Sequence, residues 1–221
     1  MKAAIIGGGF AADLHASALR SCGIELAAAV ASTQESAERF ARKWQIPRFG
    51  TDPELALEEE IGAVHICTPP AAHGAYAEAA LSAGKRVLCE KPLCFSPQEA
   101  RRLAELSEKS GIQCAVNYNV RYHMAVRRAR ELAAGGRFGR PLLIHGSYQQ
   151  EFHMLPCPFD WRYDPEKSGG MRAVSRCRGG DPQTDRACGI LNIDIWIYIN
   201  INRRRESGSV RRAGNRCGCA A

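Results

Sequence analysis

The stretch Ala3-Ala4-Ile5-Ile6-Gly7-Gly8-Gly9-Phe10-Ala11-Ala12 decides the fold. Four apolar residues in a row form a buried strand, three glycines break it, and a helix opens at Phe10. Strand, glycine turn and helix in that order begin a unit that demands a parallel sheet with helices against it. Working outward, the same alternation continues. Strands are expected near 2–6, 25–31, 63–67, 86–90 and 113–117, and helices near 10–21, 34–44, 71–83, 96–110 and 122–134. A short strand at 47–49 and helical residues at 53–58 fill the crossover between the second and third main strands. Gly23 and Gly84 stop helices, and Ser96-Pro97 starts one as cap and first residue. The fold class is therefore α/β, a doubly wound parallel sheet.

The turn itself has the pattern G-x-G-x-x-A. Gly7 allows the tight bend, Gly9 lets the backbone approach a pyrophosphate, and Ala12 is small enough for the helix to pack close to the sheet. The helix start at Phe10 and Ala11 offers unpaired N–H groups and a partial positive charge to phosphates. Gly7, Gly9, Phe10 and Ala11 are accordingly candidate dinucleotide contacts. After the second strand an NAD site usually carries an acid for the ribose 2′-hydroxyl, but the chain has Ser32-Thr33-Gln34. Ser32 and Thr33, with Arg39, Arg42 and Lys43 on the next helix, suit a 2′-phosphate, so NADP is expected and NAD is the alternative. The same basic residues also fit a solvated helix face.

Two further segments stand at strand ends. Thr68-Pro69-Pro70 is either a wall for a flat ring or a stiff turn, and His73 beyond it is a cofactor contact or a structural residue. Glu90-Lys91-Pro92 follows the strand Val87-Leu88-Cys89 and puts Lys91 where ligands of open α/β sheets bind. A lysine there can hydrogen-bond a substrate hydroxyl and help move its proton, provided burial or nearby cations lower its pKa. Glu90 is a cofactor neighbour or merely the ion-pair partner of Lys91.

Composition narrows the remaining classes. The chain has 221 residues, 45% hydrophobic and 24% charged, enough for one full domain and part of another. No apolar run is long enough to cross a membrane and no signal segment precedes the first strand, so a cytoplasmic address is expected. Ten cysteines give no CxxC pair, and Cys217-Gly218-Cys219 has no histidine nearby, so no metal site is expected. The net charge is +7, but nine arginines against four acids in 176–221 carry five of those charges. The body is nearly neutral, and no nucleic-acid partner is expected. An interaction module built on the arginine-rich tail is the weaker possibility, which would show as salt-sensitive polyanion binding.

Taken together, Gly7-x-Gly9-x-x-Ala12 with His15, Thr68-Pro69-Pro70-x-x-His73 and Gly84-Lys85-x-Val87-Leu88-Cys89-Glu90-Lys91-Pro92 resemble the Gfo/Idh/MocA oxidoreductases. Tyr118-Asn119-Val120-Arg121-Tyr122 and Gly139-Arg140-Pro141 extend the resemblance to about residue 175. It implies an N-terminal Rossmann domain over 1–120 that binds NAD(P), followed from 121 to 175 by the start of an α/β substrate and oligomerisation domain. It implies hydride transfer between nicotinamide and a small sugar, cyclitol or related polyol. Lys91 matches the family's substrate-contacting lysine, Glu90 and Pro92 match neighbours of the nicotinamide, and Arg121 matches a position near the domain junction. A homo-oligomer is expected only if the second domain is complete.

The resemblance then stops. The family follows a segment like Gly169–Val174 with an Asp-x-Gly-x-His-x-x-Asp element, whereas this chain continues Ser175-Arg176-Cys177-Arg178 and has no histidine after His153. Six isoleucines fall in 190–201 against eight in the preceding 189 residues, and no lysine follows Lys167. A reading-frame shift near Ser175 would explain this, leaving 176–221 as an atypical basic tail, out of frame or disordered. The isoleucines at every second position from 193 to 201 equally describe a half-buried strand in need of a partner. Two functions follow: an NADP-linked polyol or sugar dehydrogenase, or a catalytically dead dinucleotide-binding remnant lacking the second-domain His/Asp motif.

Overall fold

The structure is a computed structural model that describes residues 1–137, 141–148, 164–168 and 193–199. The aromatic stretch 149–163, the point of departure near Ser175 and the arginine-rich residues 200–221 lie outside the described residues. The chain divides into two units: residues 1–122 with 164–168 in one, and 123–137, 141–148 and 193–199 in the other.

In the first unit the elements alternate as β1 (Lys2–Ile6), α1 (Phe10–Ser21), β2 (Glu25–Val30), α2 (Gln34–Trp44), β3 (Arg48–Gly50), β4 (Ile61–Ile66), α3 (His73–Ser82), β5 (Arg86–Cys89), α4 (Pro97–Ser110) and β6 (Cys114–Val116). The six strands are all parallel, in the order β3-β2-β1-β4-β5-β6. Strand order reverses between β1 and β4, and at that switch point the carboxyl ends of the strands open a crevice.

Alternation along β1 shows how both faces are covered. Ala3 and Ile5 join Ala12, Ala16 and Leu19 of α1 and Phe40 and Ala41 of α2. Ala4 and Ile6 face the other way, with Ala77, Ala80 and Leu81 of α3 and Leu103 of α4. The apolar run therefore has no polar side because neither of its faces meets water. Each fully buried isoleucine, such as Ile5 or Ile6, contributes about 1.5–3 kcal/mol.

The expected helix boundaries have the expected chemical causes. Gly23 and Gly84 have φ of +69° and +78° and directly follow Cys22 and Ala83, the C-caps of α1 and α3. Ser96 caps α4, its hydroxyl accepting from Glu99 N–H at 3.0 Å. Short 3₁₀ turns shift two starts. A 3₁₀ turn over Pro70–Ala72 delays α3 to His73, and another over Asn119–Tyr122 precedes the next helix. Lys85, 7% exposed, passes its Nζ to the carbonyl of Glu58 at 2.6 Å and so ties the start of β5 to the loop before β4.

In the second unit α5 (Met124–Ala134) is capped by His123, whose Nδ1 accepts from Ala125 N–H. A two-stranded antiparallel sheet pairs β7 (Pro141–Tyr148) with β8 (Ile193–Ile199), so the alternating isoleucine segment has a partner strand. A short helix, α6 (Pro165–Ser168), belongs with the first unit. No described helix is long and apolar enough to cross a membrane.

Candidate functional site

The glycine turn joins β1 to α1 at the switch point. Gly7 has φ +126°, and a Cβ there would lie 2.6 Å from the carbonyl oxygen of Cys67. Its N–H donates to Val30 O at 2.7 Å, so the turn is clamped between β2 and β4. A Cβ on Gly8 would meet Ser36 Oγ at 2.8 Å, whereas one on Gly9 would meet nothing within 4 Å. Gly9 is the N-cap of α1 and no side chain caps it. Phe10 is exposed and Ala11 half-buried, while Ala12 is fully buried against the sheet. An open glycine backbone before an uncapped helix N-terminus fits the pyrophosphate of a dinucleotide.

At the end of β2, Ser32 and Thr33 are both exposed. Thr33 is the N-cap of α2, its Oγ1 accepting from Ser36 N–H at 3.2 Å, which leaves its own hydroxyl proton to give. The three cations behind them differ. Arg42 pairs with Glu38 at 2.7 Å, and Lys43 pairs with Asp13 at 2.9 Å. Asp13 is held below the usual carboxylate range although burial opposes it, because Lys43 and the Trp44 indole N–H donate to it. Arg39 alone turns toward the glycine turn, donating to Ser36 Oγ at 3.3 Å, the same oxygen that stands over Gly8.

The Thr68-Pro69-Pro70 turn and the Glu90-Lys91-Pro92 turn are joined by His73. Its ring is 1% exposed, with Nε2 2.8 Å from Thr68 O and Nδ1 2.6 Å from Pro92 O. His73 thus braces the two turns from behind. Thr68 Oγ1 is buried and has no hydrogen-bond partner among the described residues. Pro69 is half-buried, Pro70 is buried, and the Lys91–Pro92 peptide is cis.

Lys91 is exposed at the carboxyl end of β5. Its ammonium does not pair with Glu90; instead its backbone N–H donates to Glu90 Oε2 at 3.2 Å. The partners of Glu90 come from elsewhere. Asn117 Nδ2 donates to Oε1 at 2.7 Å, and His15 Nε2 stands 3.2 Å from the same oxygen. His15 Nδ1 in turn meets His65 Nδ1 at 2.9 Å. Burial alone would raise the Glu90 carboxyl, but the bonds from His15, Asn117 and the Lys91 backbone outweigh it and bring it to about 2. Burial, and then the neighbouring His15, lower the His65 ring to about 4. Arg121 is exposed in the 3₁₀ turn after β6, its N–H bonded to Tyr118 O.

His65 and Asn117 carried no role in the sequence reading, and His15 entered only as part of a motif. Two signals were available. His15 falls among Ala12, Ala16 and Leu19, the buried face of α1, and His65 interrupts the apolar strand Val64-His65-Ile66. A polar residue inside an apolar pattern needs a partner. Asn117 follows β6 as Glu90 follows β5, and Cys89 registers with Val116, so the two stand side by side.

Known proteins are similar to this chain in sequence and fold. The sequence pattern of the Gfo/Idh/MocA group, the oxidoreductase family with an NAD-binding Rossmann fold, matches residues 1–118. D-xylose 1-dehydrogenase [NADP(+)] of Haloarcula marismortui is 35% identical over 120 residues, 54% of this chain and 33% of that protein. D-glucoside 3-dehydrogenase of Escherichia coli is 31% identical over 204 residues, 90% of this chain and 54% of that protein. A levoglucosan dehydrogenase solved with NADH and levoglucosan superimposes with a TM-score of 0.68 at 27% identity, covering 76% of this chain and 48% of that one. The chain spans about half the length of these relatives or less. It belongs to the Gfo/Idh/MocA oxidoreductase family.

Proposed function

From this membership we propose that the chain binds NADP and supplies the cofactor half of an oxidoreductase acting on a sugar, cyclitol or related polyol. The observation that carries the reading is Gly9, whose α-carbon faces open space at the uncapped start of α1. Gly7, Gly9, Phe10 and Ala11 would hold the pyrophosphate through backbone N–H groups. Thr68, Pro69, Pro70, Glu90 and Pro92 would border the nicotinamide at the ends of β4 and β5. His73 would serve from behind them, and Arg121 would close the site after β6.

The preference for NADP rests on the end of β2. Ser32, at the position where an NAD site usually carries an acid, and Thr33 present hydroxyl groups there. Arg39 is the cation placed for a 2′-phosphate, since Arg42 and Lys43 are engaged by acids. One of the relatives is named for NADP(+).

When bound, the cofactor would accept or supply the hydride. The contribution of this chain would be position and proton handling. Lys91 would meet the substrate hydroxyl at the end of β5 and help move its proton. A second reading, binding without turnover, is favoured by Ser175-Arg176-Cys177-Arg178, which stand where the family resemblance calls for an Asp-x-Gly-x-His-x-x-Asp element. Calorimetric titration of the purified chain with NADPH and NADH, followed by a polyol and sugar panel, tests both. Tighter binding of NADPH with turnover supports the dehydrogenase, and binding with none supports the remnant. No binding of either dinucleotide sinks both.

A further inference from the structure

The buried polar chain His65–His15–Glu90–Asn117 draws on four separate elements and sits behind the strand ends, not among the exposed groups. Asn117 Nδ2, His15 Nε2 and Glu90 Oε1 meet in a triangle with sides of 2.7, 3.1 and 3.2 Å. His65 and Glu90 meet opposite sides of the His15 ring, and no three-residue metal cluster forms among the described residues.

The hydrogen-bond directions follow from the ends. A carboxylate only accepts, so Asn117 Nδ2 donates to Glu90 Oε1, and His15 Nε2, which also stands 3.1 Å from Asn117 Nδ2, donates there in the tautomer that carries its proton on Nε2. In that tautomer the His15 ring presents Nδ1 as an acceptor, and His65 Nδ1–H donates to it. Lys91 N–H occupies Glu90 Oε2. Both carboxylate oxygens are therefore fixed by donors, none of which need carry a formal charge.

We propose that this chain of donors holds Glu90 as a fixed anion beside the nicotinamide position, so that the oxidised, positively charged ring binds more tightly than the reduced, neutral one. The inference rests on the reading above, that a nicotinamide dinucleotide binds at these strand ends. His15, His65 and Asn117 are positioning residues for that charge. The low position of the Glu90 carboxyl, about 2, agrees with an anion held by the bonds from His15, Asn117 and the Lys91 backbone. The fixed charge also explains why Lys91 need not be the ion partner of Glu90 and remains available to substrate.

The test is a pair of titrations, NADP+ and NADPH, on the wild-type chain and on Glu90→Gln, His15→Leu and His15→Gln. The ratio of the two dissociation constants is the readout, because a merely loosened site weakens both forms alike. The wild type should favour NADP+. Glu90→Gln should cut that preference by about tenfold, the size expected for a charge pair in a partly screened site. His15→Leu should cut it by about threefold, and His15→Gln, which keeps a donor, should restore it. An unchanged ratio in Glu90→Gln overturns the inference and leaves cofactor binding intact, whereas a wild type that binds neither form overturns both. Ring-nitrogen NMR of the unliganded chain checks the relay without any cofactor. It should find His15 protonated on Nε2 and His65 on Nδ1, and the reverse pair of tautomers overturns it.

Discussion

The carbonyl oxygen of Cys67 stands 2.6 Å from the place a Cβ would take on Gly7, yet two residues on, around Gly9, the same space is empty. The two glycines of one turn therefore serve different ends. Gly7→Ala forces backbone apart at a positive φ and should lower stability by about 1–3 kcal/mol. Gly9→Val should leave the urea midpoint nearly unchanged and weaken dinucleotide binding by about tenfold or more. Equal losses of stability in the two variants would refute the division.

Arg39 and Lys43 lie on the same helix but point to different duties. Arg39→Ala should weaken NADPH by about tenfold and leave NADH untouched, since only the 2′-phosphate loses its cation. Lys43→Ala removes an exposed pair with Asp13 and should cost under about 1 kcal/mol of stability, with no change in either affinity. Titrations of both variants with both dinucleotides decide it, and a loss confined to Lys43→Ala would show that the wrong cation was chosen.

His73 should matter more than its lack of exposure suggests. Replacing it by Phe keeps the ring volume but takes both ring nitrogens away from the carbonyls of Thr68 and Pro92, a cost of about 2 kcal/mol. Because the ring braces two turns, hydrogen exchange should quicken at the amides of Lys91 and Leu93 before the strands are affected. Unaltered exchange there would mean the turns hold themselves.

Acid sensitivity should come in two adjoining stages. The folded His65 ring titrates near 4 against an ordinary 6.5, so the unfolded chain binds that proton first. Stability is then complete above about pH 6.5 and falls as pH drops to about 4, by at most about 3 kcal/mol. Glu90, held near 2 against an ordinary 4.5, contributes fully above about pH 4.5 and loses that contribution as pH falls toward 2. Urea midpoints measured from pH 7 to 4 should decline for the wild type and flatten for His65→Leu. A flat wild-type curve would remove His65 from the account.

Most of the fold was legible because its causes are local. Ala3–Ile6 is apolar without alternation, Gly23 and Gly84 stop helices by their φ, and Ser96 announces a helix by its hydroxyl. The glycine turn was legible for the same reason. The polar chain behind Glu90 was not, since His15, His65 and Asn117 come together only through sheet register and the packing of α1. Nor could spacing alone separate Arg39 from Arg42 and Lys43. That choice was made by Glu38 and Asp13, one of them on another helix. Lys85 had the same difficulty, as nothing nearby in sequence says that the carbonyl of Glu58 will receive it.

The position of β1 has a bearing on synthesis. It leaves the ribosome before both of its neighbours, β2 and β4, and lies between them inside the finished sheet. Its second neighbour ends at Ile66, so at about 5–20 residues per second the nascent chain waits several seconds before β1 can be enclosed. During that interval Ala3–Ile6 is a bare hydrophobic segment without its second neighbour. Codons that slow translation between β2 and β4 would prolong its exposure to chaperones and to other nascent chains alike.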